Sequence, residues 1–134
     1  IKHEYKIAEN LAAAGIVKVY RLESYQNRLA LVCEDFGGQS LKQLLEAQKL
    51  SLISFLGIAA QLVQALASLH QQQIIHKDIK PANIIINPAT GIVKLTDFSV
   101  ASRLSKETPQ LCNPNSLEGT LAYMSPEQTG RMNR

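Results

Sequence analysis

Cysteine is scarce in this sequence: only Cys33 and Cys112 occur, far apart, and no Cys-x-x-Cys pair is present. A zinc knuckle needs paired cysteines, and a secreted disulfide scaffold normally contains more of them. We therefore expect two reduced thiols in a cytoplasmic protein.

Long apolar runs and blocks of like charge are missing as well. By inspection, no apolar run approaches the roughly 20 residues that span a bilayer, and no signal peptide is recognisable. The formal net charge of +3 is spread along the 134 residues, which predicts neither a nucleic-acid nor a membrane partner. A hydrophobic content of 46% with 19% charged residues is typical of a globular domain. The chain begins with Ile1 rather than Met, so we expect a piece of a longer protein.

Periodic apolar residues predict three helices, and short apolar stretches predict five strands. The helices are expected at residues 4–14, 41–48 and 51–73. Gly15 is expected to end the first helix, and Ser40 to cap the second. The strands are expected at residues 16–22, 29–36, 74–75, 84–86 and 92–95, the first two as an antiparallel hairpin. The third helix has a wide apolar stripe, so we expect it to be buried on most sides by partners largely elsewhere in its domain. Little regular structure is expected after residue 97, and residues 104–117 are predicted to form a loop.

The run from His76 to Asn83 carries residues suited to one chemistry. It reads His-Lys-Asp-Ile-Lys-Pro-Ala-Asn and lies between two short predicted strands. Taken singly, an Asp or Asn in such a place is more often a turn former. Together they suit phosphoryl transfer, because Asp78 can orient an attacking hydroxyl and accept its proton, while Lys80 can stabilise the anionic phosphoryl group. Asn83 can supply an amide oxygen to a metal ion that bridges the phosphates.

A second carboxylate, Asp97, follows nineteen residues after Asp78. It stands in Leu-Thr-Asp-Phe-Ser, directly after a predicted strand. An Asp-Phe pair alone means little, but the strand, turn and strand between it and Asp78 make the arrangement specific. We expect Asp97 to lie opposite Asn83 as the second metal ligand.

These two segments resemble motifs of the protein kinases. Residues 76–83 resemble the catalytic-loop pattern H-R-D-x-x-x-x-N, with Lys77 in place of Arg. Residues 97–99 resemble the D-F-G motif, with Ser99 in place of Gly. The substitution by Ser leaves the carboxylate in place, but it makes a positive φ at residue 99 less favourable than a glycine would.

A third segment extends the resemblance. Residues 119–127 read Gly-Thr-Leu-Ala-Tyr-Met-Ser-Pro-Glu and resemble the G-T-x-x-Y-x-A-P-E end of a kinase activation segment, with Ser125 in place of Ala. Lys80 followed by Pro81 is similar to the serine/threonine branch of the family. Three motifs in the right order and in the right local contexts identify the chain as a member of the protein kinase superfamily.

The resemblance implies a partial kinase fold of the α+β class. Residues 1–36 would be the end of the small lobe, residues 37–40 the hinge, and residues 41–134 the first part of the helical large lobe through the activation segment. It also implies ATP and Mg²⁺ as cofactors, with Asn83 and Asp97 holding the metal. The implied substrate is a serine or threonine hydroxyl of a protein.

Further roles around the nucleotide are implied by position. Glu4 would pair with a lysine on a preceding strand, and Cys33 would lie at the rear of the adenine pocket. Backbone groups of Glu34 and Phe36 would bond the adenine, and Ser40 would lie near the ribose.

Other implied roles concern the catalytic loop and the activation segment. The Thr120 hydroxyl would contact Asp78 and Lys80, while Glu127 would form a structural ion pair with an arginine beyond residue 134. His76 would support the loop, and Lys77 would read a phosphate on the activation segment. The candidate phosphorylation sites are Ser105, Thr108 and Ser116.

Two elements of the kinase pattern are not found. No G-x-G-x-x-G occurs, and no strand lysine precedes Glu4. We therefore expect this chain, taken alone, to be catalytically incompetent and marginally stable or self-associating. A pseudokinase that binds nucleotide or a partner as a regulatory module is the alternative, because Ser99 and Ser125 depart from the pattern. A small-molecule kinase of similar fold is disfavoured by Lys80 and by residues 119–127.

A finer resemblance concerns the parent protein. Residues 34–41 and 117–134 look like the kinase domain that heads very large bacterial hybrid sensor proteins. The resemblance implies that an ATPase-like module, a GAF-type sensor and a histidine kinase follow in the parent chain.

Overall fold

A computed structural model describes residues 1–11, 13–104 and 119–129. The helices and strands, in chain order, are α1 (Lys2–Ala8), β1 (Val19–Tyr25), β2 (Arg28–Cys33), β3 (Gln39–Ser40), α2 (Leu41–Ala47), α3 (Leu52–Gln71), β4 (Ile74–Ile75), β5 (Ile84–Ile86), β6 (Val93–Leu95) and β7 (Ser102–Arg103). Single 3-10 turns occupy Pro81–Asn83, Leu121–Tyr123 and Pro126–Thr129. This mixture agrees with the predicted α+β class. The expected loop, apart from Leu104, and the three candidate phosphorylation sites lie outside the described residues.

Helix α1 is shorter than the sequence predicts. It ends at Ala8, because the following chain is used as an edge partner of β6. The Leu95 N–H donates to the Gly15 carbonyl and the Val17 N–H donates to the Leu95 carbonyl, both at 2.8 Å. Gly15 has a φ of +84°, and a Cβ there would lie 2.8 Å from the Cβ of Ala65. The expectation that Gly15 ends the helix is therefore wrong, and this glycine instead allows close approach to α3.

The predicted antiparallel hairpin is confirmed, although its bounds differ. Strands β1 and β2 pair from Val19 opposite Cys33 to Tyr25 opposite Arg28. Gln26 and Asn27, with φ of +46° and +61°, form the two-residue turn, which is the conformation that suits the twist of a hairpin.

Helix α2 begins at the residue that the sequence predicts as its cap. The Gln43 N–H donates to the Ser40 hydroxyl at 3.2 Å, and the Ser40 N–H donates to the side-chain oxygen of Gln43 at 3.1 Å. This reciprocal capping box satisfies N–H groups that the first turn of a helix otherwise leaves unpaired.

Helix α3 is less buried than expected. Its buried side chains are Ile58, Ala65 and Leu69, whereas others are largely exposed, including Leu52, Ile53, Phe55, Leu56 and Val63. The described residues therefore leave this stripe largely uncovered, and the partners expected from elsewhere in the domain are not among them. By length and composition, this 20-residue helix, which contains an 18-residue window with a mean hydropathy of 1.8, could cross a membrane, so the expectation that no apolar stretch approaches that length is wrong. The same properties occur in core helices of globular domains.

A polar side chain attaches α3 to strand β6. The amide nitrogen of Gln61 donates to the Gly91 carbonyl at 2.9 Å, and its amide oxygen accepts the Val93 N–H at 3.0 Å. Together with Gly15 and Val17, Gln61 satisfies the outer edge of β6, which would otherwise expose unpaired backbone groups.

The remaining sheet segments place the loops that carry the motifs. Strands β3, β5 and β6 form an antiparallel sheet in that order, and β4 pairs with β7. In the β5–β6 hairpin, Ile84 is opposite Leu95, so the chain before β5 and the chain after β6 emerge at one end. The most deeply buried side chains of the core lie around this end: Leu69, Ile74, Leu95 and Phe98.

Candidate active site

The Asp78 carboxylate is the centre of a compact polar network. Its Oδ1 accepts a hydrogen bond from the Thr120 hydroxyl at 2.7 Å, and its Oδ2 lies 2.7 Å from the Lys80 ammonium. Oδ2 also accepts a bond from the Asn83 amide nitrogen at 3.0 Å. The Lys80 ammonium donates to the Thr120 hydroxyl at 2.8 Å. The structure thus joins four of the predicted site residues, one of which lies about forty residues further along the chain.

The network keeps Asp78 ionised. Only 8% of its side chain is exposed, and burial alone would raise the pKa of this carboxyl. Hydrogen bonds from Lys80, Thr120 and Asn83 outweigh burial and lower the pKa below its usual value of 3.8. At neutral pH the group is therefore a carboxylate, held by donors on more than one side.

The backbone conformation of Lys77 and its contacts position Asp78 in this network. Lys77 adopts a left-handed φ of +68°, and its carbonyl accepts a hydrogen bond from the side-chain amide of Gln128 at 3.0 Å. Gly119 has a φ of +117°, and a Cβ there would lie 2.6 Å from the Lys77 carbonyl oxygen. The end of the activation-like segment therefore packs directly on the peptide that precedes Asp78.

The buried His76 side chain supports the loop that carries Asp78. It is 1% exposed, its ring packs on Phe98 at 5.0 Å between centroids, and it accepts the Asp78 N–H at Nδ1 at 3.3 Å. Its Nε2 therefore carries the proton and donates to the Thr96 carbonyl at 3.0 Å. Burial lowers the pKa of His76 from 6.5, so the ring is neutral and joins the Asp78 loop to the segment that ends in Asp97.

Asn83 and Asp97 lie at the same end of the β5–β6 hairpin. The Thr96 N–H donates to the Asn83 carbonyl at 3.0 Å, and Asp97 follows at once with a left-handed φ of +65°. One Asp97 oxygen accepts the Ser99 N–H at 3.2 Å. Ser99 does not itself have a positive φ, so the left-handed conformation of this turn falls on Asp97 and Ser fits at position 99.

The donor chemistry at this end fits Mg²⁺. The Asn83 amide nitrogen is committed to the Asp78 carbonyl and carboxylate, and no described residue donates to its amide oxygen. An amide oxygen and a carboxylate are suitable ligands, and Mg²⁺ is usually completed by phosphate oxygens and water. Among residues 1–11, 13–104 and 119–129, no group of three His, Cys, Asp or Glu side chains forms an all-protein metal cage.

Helix α1 contacts the segment after Asp97. Burial and then the charge of Asp97 raise the pKa of the Glu4 carboxyl, and the Phe98 backbone partly offsets this. The Nε2 of His3 lies 2.8 Å from the Ala101 carbonyl. The charge of Asp97 thus acts on Glu4, whereas the partner expected for Glu4, a lysine on a preceding strand, is not part of this sequence.

The 34–36 segment presents several backbone groups that make no hydrogen bond to a described residue. The Glu34 carboxylate, rather than its carbonyl, accepts the Lys18 N–H at 2.7 Å, and it also pairs with Lys94 at 2.6 Å. Burial alone would raise the pKa of Glu34, but the Lys94 and Lys18 hydrogen bonds lower it. Within the described part of the chain, neither the Glu34 carbonyl nor the Phe36 N–H has a hydrogen bond.

Comparison with known proteins agrees with this geometry. The protein kinase domain family matches residues 1–133. The chain belongs to the protein kinase domain family. It is 38% identical over 128 residues to serine/threonine-protein kinase PrkC of Bacillus subtilis, covering 95% of this chain and 19% of that protein.

Eukaryotic relatives match over the same share of this kinase chain. Identity is 39% over 129 residues to serine/threonine-protein kinase TIO of Arabidopsis thaliana and 34% over 133 residues to mitogen-activated protein kinase kinase kinase 6 of Homo sapiens. Each match covers 95% of this chain, but only 9% and 10% of those proteins. The serine/threonine type expected from Lys80 and Pro81 agrees with these names.

The remaining predicted residues of the kinase chain are placed as follows. Ser40 lies at the start of α2 with its hydroxyl used in the cap, and Cys33 is exposed. Partial desolvation, then the charges of Glu4 and Glu34, raise the pKa of the Cys33 thiol. Glu127 is exposed in the turn Pro126–Thr129, and its expected arginine lies outside this sequence.

Three residues of the kinase chain that take part in these contacts were not foreseen. Gln128 could have been found from the Ser-x-x-Gln spacing of a capping box, since its amide oxygen accepts the Ser125 N–H at 3.1 Å. Asn87 could have been recognised as a turn former before Pro88, but not as a partner of Phe36. No sequence signal pointed to Lys94.

The neutral state of His76 predicts a pH dependence of folding. Because the unfolded chain takes up a proton near pH 6.5 and the folded one resists it, the free energy of unfolding should fall as pH drops through that value. The slope can reach about 1.4 kcal/mol per pH unit for one group. Denaturant unfolding followed by circular dichroism between pH 7.5 and 5.5 (roughly the window set by the shift) measures it.

Variants separate this histidine from other titrating groups. His76→Gln should flatten the slope relative to the unmodified protein, whereas His70→Gln, at an exposed position of α3, should leave it unchanged. Equal slopes for the unmodified protein and His76→Gln would contradict the assignment.

Proposed function

We propose that this chain is the catalytic-loop portion of a protein serine/threonine kinase that transfers the γ-phosphate of ATP to a protein hydroxyl in the presence of Mg²⁺. The observation that carries the proposal is the junction of Asp78, Lys80, Thr120 and Asn83 in one hydrogen-bonded network. Such a network holds a carboxylate and an ammonium at fixed positions, and positioning with charge stabilisation supplies most of the catalysis in phosphoryl transfer.

Asp78 is assigned to the substrate hydroxyl. Since its pKa is lowered, it is a weak base, and its main work before transfer is to accept a hydrogen bond and orient the hydroxyl oxygen. Proton transfer to the carboxylate follows late, when the hydroxyl has become acidic by bonding to phosphorus.

Lys80 is assigned to the transferred phosphoryl group. Its ammonium bridges Asp78 and Thr120 and remains 23% exposed, so it can reach anionic oxygens without leaving the loop. A cavity of about 460 Å³, lined in part by Lys80, Thr120, Leu45 and Tyr123, lies beside the network. This cavity supports access for a substrate side chain next to the reacting hydroxyl.

Asn83 and Asp97 are assigned to Mg²⁺, and the backbone of Glu34 and Phe36 to adenine. When bound, the metal would neutralise phosphate charge. The free Glu34 carbonyl and Phe36 N–H provide one acceptor and one donor on neighbouring residues, which suits the edge of a purine. Ser40 is assigned a place near the ribose, and Glu4 is assigned to pair with the strand lysine that would hold the phosphates.

The proposal is tested by phosphate transfer from radiolabelled ATP in the full-length protein that contains this sequence. We expect label on serine or threonine, loss of transfer when Mg²⁺ is chelated, and recovery when it is restored. ATP binding without transfer at any Mg²⁺ concentration would favour the regulatory pseudokinase. This chain alone, without its expected upstream lysine, should transfer far more slowly than the typical roughly 1–100 per second of kinases.

The parent protein is part of the same proposal. A cytoplasmic location is supported by the need for ATP, and sensor and histidine-kinase domains are supported by the resemblance of residues 34–41 and 117–134. The full-length sequence tests whether the sensor and histidine-kinase domains are present. Mass spectrometry of the full-length protein tests whether Ser105, Thr108 or Ser116 is phosphorylated.

A further inference from the structure

The peptide group between Phe36 and Gly37 is held at both of its polar ends. Its carbonyl accepts a hydrogen bond from the side-chain amide of Asn87 at 2.6 Å, and its N–H donates to the Asp35 carboxylate at 2.9 Å. These contacts lie next to the unpaired Phe36 N–H and Glu34 carbonyl. One peptide group of the segment is therefore fixed by the protein, while its neighbours are left for a ligand.

Asn87 is built to hold this peptide in place. Its amide oxygen accepts the N–H groups of Ala89 and Thr90 at 2.9 and 3.1 Å, so the turn after β5 orients the amide. The nitrogen then points at Phe36, fifty-one residues away in sequence. A Cβ at Gly37 would lie 3.2 Å from the same nitrogen, which shows how closely the two segments pack.

We propose that Asn87 is a positioning residue that sets ATP affinity: by fixing the Phe36–Gly37 peptide it restrains Phe36, whose N–H belongs to the adjoining peptide group. The inference rests on the proposed function, because it concerns the affinity of the same nucleotide site. In the proposed function the Phe36 N–H and the Glu34 carbonyl bind the purine edge, and the Phe36 carbonyl is already engaged by Asn87.

Two variants separate the hinge contact from the turn. Asn87→Asp keeps the oxygen that accepts the Ala89 and Thr90 N–H groups, but it replaces the donor to Phe36 with a second acceptor. Asn87→Ala removes both contacts. An Asn in another hairpin connection provides the control, Asn27→Asp, because Asn27 lies in the exposed β1–β2 turn.

Steady-state kinetics and calorimetric titration of MgATP in the full-length protein provide the readouts. We expect Asn87→Asp and Asn87→Ala to raise the KM and Kd for ATP about threefold to tenfold, the effect of losing one hydrogen bond. The kcat should stay within about a factor of two, since the phosphoryl-transfer residues are untouched. Hydrogen exchange of a peptide covering residues 34–40 should become faster in both variants and stay unchanged in Asn27→Asp.

The outcomes distinguish this inference from the proposed function. ATP affinity and exchange in Asn87→Asp equal to those of the unmodified protein, with normal transfer, would overturn the inference alone. A lower kcat with unchanged KM would also overturn it, because it would assign Asn87 to the transfer step. Failure of the unmodified protein to bind ATP would overturn both.

Discussion

Asp78→Asn is expected to lower kcat by about 10²- to 10⁴-fold, while the KM for ATP changes little. The amide has nearly the shape of the carboxylate, so the contacts with Thr120 and Asn83 can be kept in part. It cannot take up the proton of the substrate hydroxyl, and it no longer neutralises Lys80, which lies 2.7 Å away. Rates of transfer at saturating ATP, with ATP affinity measured separately, provide the test.

A carboxylate on the surface supplies the control for this change. Glu23→Gln removes the same charge from the exposed face of the β1–β2 hairpin, and it should leave kcat unchanged. Transfer by Asp78→Asn within a few-fold of the unmodified protein would remove Asp78 from the reaction. The hydroxyl would then have to be oriented by another group.

Gly119→Ala is expected to reduce kcat by about 10²-fold, the scale of a misplacement near 1 Å. The added methyl group would lie 2.6 Å from the Lys77 carbonyl oxygen, which is backbone and cannot rotate away. To relieve this close contact, either the Lys77 peptide or Thr120 has to move, and both of them position Asp78. Transfer kinetics of the variant, with circular dichroism to verify folding, measure the effect.

Gly91→Ala is the matched control for the glycine change. Gly91 also has a positive φ, +71°, but a Cβ there would meet nothing within 4 Å. It should lower the free energy of unfolding by about 1 kcal/mol, from the left-handed conformation alone, and leave kcat unchanged. Equal kcat losses in the two variants would show that backbone strain, and not the contact with Lys77, is responsible.

Local sequence signals predicted the elements whose determinants are local. The Ser40 cap and the β1–β2 hairpin depend on residues two or three positions apart, and both are confirmed. The end of α1 depends on Leu95, which takes the chain at residues 15–17 as an edge partner. Helix propensity at residues 9–14 could not indicate that competition.

The same division applies to the candidate site. Residues with a chemical role, such as Asp78 and Asn83, form short patterns that are readable from sequence, and the structure brings them together. Residues that only hold backbone carbonyls, such as Gln128 and Asn87, act across fifty-one residues. Local spacing can place these two residues in turns, but any amide of the right reach could bond the distant carbonyl, so no spacing rule identifies their partners.

The two hydrogen bonds from Gln61 to the β6 segment fix the position of helix α3 relative to that strand. Helix α3 leads directly into β4 and the loop of Asp78, whereas β6, to which Gln61 is attached, leads into Asp97. If α3 slid by one residue, the two loops would shift by about 1.5 Å relative to each other, and both bonds of Gln61 would break. An uncharged side chain remote from both groups therefore helps to set the distance between the hydroxyl-orienting group and the candidate metal ligand.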